Sequence, residues 1–305
     1  MAKGAYPSFL ALDVPPAPPD KARFEIIPVP LEHSVSYGGG AAAGPARLLE
    51  ASLQLEAYDG ESVPAYAGIY TGPAVDCDTD TAAVLQQVKD RVAVALAGGR
   101  MPIVIGGEHT VTLGAVRAFA ARGEPFGVVQ FDAHADLRDQ YEGNSFSHAC
   151  VMRRIVDLTV PIFQVGVRSL SVAEAGIRQV RAIPYCDAEA LARPDPLRLA
   201  LPSDFPARVY ITFDVDAFDP AVLPGTGTPE PGGLFWYDAL RLIDRVLEGR
   251  RLIGFDVTEL APVAGSHVSE FTAAKLVYRL MAAALRSPVP DKGFPPSGRQ
   301  CYAPQ

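Results

Sequence analysis

No C-x-x-C pair occurs in this 305-residue sequence, and its four cysteines, Cys77, Cys150, Cys186 and Cys301, lie far apart. That spacing excludes a zinc ribbon, argues against a disulfide framework and fits a reducing compartment. No run of 18 apolar residues is present and no basic-then-apolar leader opens the chain. The expectation is therefore a cytoplasmic protein with no membrane partner. An excess of basic residues is missing too: 35 Asp and Glu outnumber 27 Lys and Arg, for a formal net charge of −8. This balance disfavours nucleic acid as a partner and is mildly favourable to a cationic substrate. With no composition break and no internal repeat, one domain is expected, in a chain long enough for a large core.

What the chain does have is alternation. Proline-rich residues 1–23 read as an extended arm, 24–286 as the domain, and 287–305, with five prolines, as an irregular tail. Apolar runs at 24–30, 69–72, 101–107, 126–133, 161–168, 181–186, 208–216 and 252–260 read as buried strands. Helical patterns fall between them at 44–59, 80–97, 110–122, 148–158, 171–180, 236–248 and 269–286, with a proline-broken stretch before 208. Seven or eight such runs alternating with helices predict a mostly parallel sheet covered on both faces, a three-layer α/β/α sandwich.

Polar residues gather where the strands end. "IGGEHT" places His109 just past one strand; "FDAHAD" places Asp132, His134 and Asp136 past the next; "ITFDVDAFDP" does the same with Asp214 and Asp216. In parallel α/β sheets ligand sites form outside the carboxyl ends of strands. Alternate strand residues point one way, so each set can converge. Two imidazoles and four carboxylates suit two divalent cations, whose positive charge balances the four acids. Without metal, acids this close raise one another's pKa values. The oxygen-rich donor set favours manganese over zinc, and metal-acidified water supplies hydroxide at neutral pH. Asp219, before Pro220, reads as a turn-former, and His33 and His267 as loop histidines.

"GGEH" (106–109), "DAHAD" (132–136) and "DVDAFDP" (214–220) resemble, in order and spacing, the three signatures of the ureohydrolase (arginase/agmatinase) superfamily, and the likeness spans about 25–285. The resemblance implies an eight-stranded parallel sheet and two Mn2+ per chain. One ion would take His109, Asp132, Asp136 and Asp214; the other would take Asp132, His134, Asp214 and Asp216. Metal-bridging hydroxide would attack the guanidinium carbon, and the tetrahedral intermediate would collapse to urea and an amine. Glu259, in "DVTEL", matches the glutamate that grips the guanidinium, and His148, in "FSHA", the proton-shuttling histidine. His148, Glu259 and Asp136 are thus the implied catalytic residues, and a homo-oligomer, trimer or hexamer, the implied assembly.

The loop "PGTGTPEPGGL" (224–234) resembles the agmatinase version, and "LRDQYEGNSFSH" (137–148) lacks the arginase pattern that reads an α-amino acid. The expected reaction is agmatine to putrescine and urea, a step of polyamine biosynthesis, with Asp139 and Glu142 facing the substrate's ammonium. The alternatives are a guanidinobutyrase, a guanidinopropionase or an arginase, with Arg138, Arg153 or Arg154 as candidate carboxylate partners. A non-catalytic binding or regulatory member is disfavoured, because every metal ligand is present.

Overall fold

Neighbouring residues of each strand feed opposite faces of one sheet. In the computed structural model, which describes residues 6–193 and 199–286, eight strands form it. They are β1 (Phe24–Val29), β2 (Ile69–Thr71), β3 (Met101–Gly106), β4 (Gly127–Phe131), β5 (Ile162–Val165), β6 (Tyr185–Cys186), β7 (Arg208–Asp214) and β8 (Arg251–Thr258). All pairings are parallel, in the order β2-β1-β3-β8-β7-β4-β5-β6. Ile26, Ile103, Val129 and Ile211 pack on one face against α1 (Gly44–Ser52), α7 (Trp236–Leu247) and α8 (Val268–Arg286). Their neighbours Ile27, Val104, Val128 and Tyr210 pack on the other against α2 (Thr81–Ala97), α3 (Thr112–Ala120) and α4 (Val151–Asp157). Short helices α5 (Val172–Val180) and α6 (Ala188–Leu191) flank β6. The result is the expected α/β/α sandwich, with a wholly parallel sheet.

The order places β7 and β8 between β3 and β4, although β3 and β4 are successive in the chain. The winding reverses here, so the carboxyl ends of β3, β8, β7 and β4 open onto one crevice, where ligands bind in such sheets.

Several elements are shorter than the pattern suggests. The helix expected over 44–59 ends at Ser52. Its hydroxyl turns back to the Leu49 carbonyl and accepts the Leu10 N–H, so it competes with the helix's own ladder. The strand expected over 208–216 ends at Asp214, because 215–217 form a 3-10 turn capped by the Asp214 side chain. Before α3 and α4 the chain makes 3-10 turns at His109–Val111 and His148–Cys150, so those helices start later than expected. Residues 6–23 of the arm lie on the core, with Phe9 and Leu10 buried. The expected tail over 287–305 lies outside the described residues. Among the described residues no helix is long and apolar enough to cross a membrane.

Candidate active site

Two turns of the same construction build the centre of the crevice. Past β4, Asp132 Oδ1 accepts the His134 N–H at 2.6 Å; past β7, Asp214 Oδ1 accepts the Asp216 N–H at 2.9 Å. Each is an aspartate bonding the backbone two residues on, which folds the next polar side chain back over the strand end. Convergence therefore comes from these turns, rather than from strand alternation as expected. Asp136 completes the first loop with a left-handed backbone, φ +52°.

The six ligand-type residues form two adjoining clusters. His109 Nδ1 lies 2.9 Å from Asp136, 3.1 Å from Asp132 Oδ2 and 3.5 Å from Asp214. His134 Nδ1 lies 2.9 Å from Asp216 and 3.6 Å from Asp132 Oδ1. Asp132 thus gives one oxygen to each cluster, and the donor atoms of His109, Asp132 and Asp214, and of Asp132, His134 and Asp216, lie within 4.8 Å of one another.

His109 offers the sharpest test of metal fit. Thr212 donates its hydroxyl to Asp256 at 2.6 Å, so it accepts from His109 Nε2 at 2.7 Å. That fixes the tautomer and leaves a buried Nδ1 lone pair without a hydrogen-bond partner, pointed among carboxylate oxygens. Positive charge at that point, a proton or a metal ion, reconciles those groups, and an imidazole held through its far nitrogen is the usual arrangement for a metal ligand. The residues fit a metal.

The electrostatics agree. Burial, reinforced by Asp132, pushes the Asp136 carboxyl up to about 7. Burial with Asp216, Asp132 and Glu259 raises Asp214 well above the usual carboxylate range, and burial with Asp132 raises Asp216. Burial alone would lower His134, but its bonds to Asp132 and Asp216 push it up to about 12. His109 is likewise raised against burial by Asp132 and Asp136, while the two imidazoles hold the buried Asp132 low. Protons stand in for cations that these acids lack on their own.

Glu259 and His148 line the same cavity of about 350 Å3. Glu259 follows β8 with a left-handed φ of +63°, and its Oε1 accepts the His109 N–H at 2.6 Å. Burial, with Glu108 nearby, pushes it up to about 8. His148 lies against Ser34 Oγ at 3.0 Å through Nδ1 and Ser36 Oγ at 2.6 Å through Nε2, and burial lowers its pKa.

Sequence reasoning missed three acids of the cavity wall, Glu32, Glu108 and Glu174. Glu108 accepts from the His33 and Ser34 backbone and from the Ser34 and Thr110 hydroxyls, tying the loop that holds His148 to the strand that holds His109. Its place beside His109 in "GGEH" was the readable signal. Glu174 closes a capping box with Ser171, legible as "SVAE".

The expected ammonium partners require correction. Asp139 and Glu142 are absent from the cavity wall. Asp139 instead pairs with Arg154 at 2.5 Å and Arg153 at 3.6 Å, which also removes both arginines as partners for a substrate carboxylate. Arg138 does line the cavity, 3.9 Å from Glu174 and over the Tyr141 ring. His33 is held by Thr81 and the Cys77 carbonyl, and Asp219 accepts from the 221, 232 and 233 backbone, as its turn-forming reading requires. Arg168 pins the 224–234 loop through the Glu230 and Pro231 carbonyls, leaving Gly227 and Thr228 at the cavity.

Known proteins share this architecture. The Arginase family model matches residues 22–283. An N(1)-aminopropylagmatine ureohydrolase of Synechocystis sp. is 44% identical over 270 residues, covering 85% of this chain and 88% of its own. An agmatinase of Pyrococcus horikoshii is 32% identical over 296 residues, covering 92% and 98%. The crystal structure of an agmatine ureohydrolase of Thermoplasma volcanium superposes with a TM-score of 0.78 at 30% identity, covering 91% of this chain and 94% of that one. The chain belongs to the arginase family. It is an enzyme of the ureohydrolase type, a hydrolase of amidine C–N bonds.

Proposed function

We propose that this enzyme cleaves the guanidinium group of an agmatine-type polycation to urea and the free amine, with N(1)-aminopropylagmatine preferred and agmatine next. The charge of the cavity carries this reading. Two divalent ions would balance Asp132, Asp136, Asp214 and Asp216, yet Glu32, Glu108, Glu174 and Glu259 remain around the cavity against, among the described residues, a single lining guanidinium, Arg138. Such a wall attracts positive charge and repels a carboxylate. Agmatine presents one ammonium beyond its guanidinium and the aminopropyl compound two. Arginine and guanidino acids bring a carboxylate. The relative at 44% identity bears the aminopropylagmatine name, while the Pyrococcus and Thermoplasma proteins support agmatine as the second reading.

The mechanism divides the work among the residues above. His109, Asp132, Asp136 and Asp214 would hold one Mn2+, and Asp132, His134, Asp214 and Asp216 the other. When bound, the ions supply water acidified to hydroxide near neutral pH and Lewis-acid stabilisation of developing charge. Glu259 takes the planar guanidinium through paired N–H donors, whose positive charge returns its raised carboxyl to the ionised state. His148 exchanges a proton at Nε2 and delivers it to the departing amine. Its Nδ1–H is turned toward Ser34, because the Ser34 hydroxyl is committed to Glu108. A role in polyamine biosynthesis, a cytoplasmic location and a trimeric or hexameric assembly are consistent extensions of the same reading.

Urea release in the presence of Mn2+ from N(1)-aminopropylagmatine, agmatine, arginine and guanidinobutyrate tests it. One more ammonium about 8 Å from the acids contributes about 1–2 kcal/mol at an effective dielectric near 20, so each step in that order should lower kcat/KM roughly tenfold. Equal rates on arginine, or a preference for guanidinobutyrate, would refute the substrate assignment.

A further inference from the structure

Behind the clusters, a file of polar side chains crosses the sheet from Asp132 to the helix layer. Gln130 of β4 and Gln164 of β5 are register partners, both fully buried. Gln130 Nε2 donates to Asp132 Oδ2 at 2.7 Å and to the His134 carbonyl at 3.2 Å. Gln164 Nε2 donates to Gln130 Oε1 at 2.5 Å and to the Ala135 carbonyl at 2.7 Å. Arg178 of α5, also buried, donates from Nε to Gln164 Oε1 at 2.7 Å. Asp187 at 2.9 Å and the Tyr185 ring at 4.3 Å hold its guanidinium in place.

The direction of the file follows from chemistry. An amide can present either end to a neighbour, but a guanidinium can only donate. Arg178 therefore obliges Gln164 to turn its oxygen outward and its NH2 toward Gln130. Gln130 must in turn give its oxygen to Gln164 and its NH2 to Asp132. Without the arginine the Gln164 oxygen loses its donor, the Ala135 and His134 carbonyls alone are left to hold the two amides in this sense, and a reversed Gln130 would set its oxygen against a buried carboxylate.

That carboxylate must keep its two oxygens apart, Oδ2 toward His109 and Oδ1 toward His134. The Gln130 amide fixes the first and the His134 N–H the second. A buried arginine and two buried amides are an expensive way to fill a strand interior, where apolar side chains pack at no desolvation cost. We propose that Arg178, through Gln164 and Gln130, is a positioning residue that sets the orientation of Asp132 as the ligand shared between the two metal clusters. This inference rests on the metal reading of the site.

The test measures Mn2+ affinity of the metal-free full-length protein by competition with a fluorescent chelator, beside its thermal midpoint. Loss of an outer partner of a metal ligand weakens binding by about 10- to 100-fold. Arg178→Met should do so, with Arg178→Lys recovering part of the loss through its single donor. Gln164→Met breaks the file while sparing the Arg178–Asp187 pair and should reproduce the same loss, which keeps the test decisive if Arg178→Met does not fold. Adding Arg178→Met to Gln130→Leu should bring no further loss, because both interrupt one path. Wild-type Mn2+ affinity in either Arg178→Met or Gln164→Met, with only the thermal midpoint lowered, would overturn the proposal and leave Arg178 a structural tether. Asp132→Ala separates the two readings: if it retains both ions, the metal assignment fails rather than the relay.

Discussion

Removing metal should make the protein's stability fall as pH rises through neutrality. Asp136, ordinarily near 3.8, is pushed up to about 7, and Glu259, ordinarily near 4.5, to about 8. A carboxyl raised in this way stabilises the fold while protonated. Its contribution is complete below the unfolded value and is lost as pH climbs through the folded one. Between pH 6 and 8 that loss is about 1 kcal/mol for Asp136 and about 2 kcal/mol for Glu259. His134 adds a loss of the same sign, since its contribution is full below its ordinary 6.5 and disappears as pH rises toward about 12. Asp132, held low, contributes above its ordinary 3.8 and is silent in this window. The metal-free protein should therefore be less stable at pH 8 than at pH 6 by about 3 kcal/mol or more. At about 1.5–2 °C per kcal/mol for a chain of 305 residues, the thermal midpoint drops by roughly 5 °C. Calorimetry on chelator-treated protein measures this directly. With Mn2+ bound the four aspartates are ionised throughout and the slope should shrink to about the share of Glu259, which is not a ligand. A metal-free midpoint that is level or rises from pH 6 to 8 would refute the electrostatic account of the cluster.

Replacing Asp132 or Asp214 by Ala should remove both ions, whereas His109→Ala should leave one, as read by metal content per chain; two ions retained in Asp214→Ala would exclude it as a ligand of both. His148→Ala should lower kcat by about 10²- to 10⁴-fold with metal content unchanged, the range for general acid–base help, and loss of metal instead would make it a structural partner. Asp139→Asn and Glu142→Gln should change the agmatine-to-arginine preference by less than about twofold, because exposed charges outside the cavity are screened. A collapse of that preference would restore them to the site.

The sandwich and the crevice were legible because they rest on local signals: apolar runs of strand length, and polar residues gathered at their carboxyl ends. His109, Asp132, His134, Asp136, Asp214 and Asp216 declared themselves by residue type. How they converge did not, since Asp132 and Asp214 act through turns that replace the last strand residues. The cavity wall depended on sheet order, which places β3 beside β8 and brings the 32–41 segment over the site. Glu32 and Glu174 are distant in sequence from every motif and gave no sign of facing it. Asp139 misled because proximity in sequence to His148 carries no information about which arginine a flexible acid will pair with. Gln130 and Gln164 read as strand residues, and only the register between β4 and β5 shows that they touch.

Asp136 and Glu259 both sit in the left-handed region, at φ +52° and +63°, where Cβ crowds the following carbonyl oxygen at a cost of about 1–2 kcal/mol for most residues. Glycine would relieve the backbone at either position but carries no carboxylate. Selection for the reaction and selection for a stable chain thus pull these two codons in opposite directions. A lineage released from catalysis gains stability by drifting to glycine at 136 and 259, while Asp132 and Asp214, whose side chains cap their own turns, have a folding reason to persist. Decay of the activity should leave its mark at the strained acids first. A descendant that keeps its "DAH" and "DVD" aspartates while losing these two acids is the form in which a retired enzyme of this kind would be found.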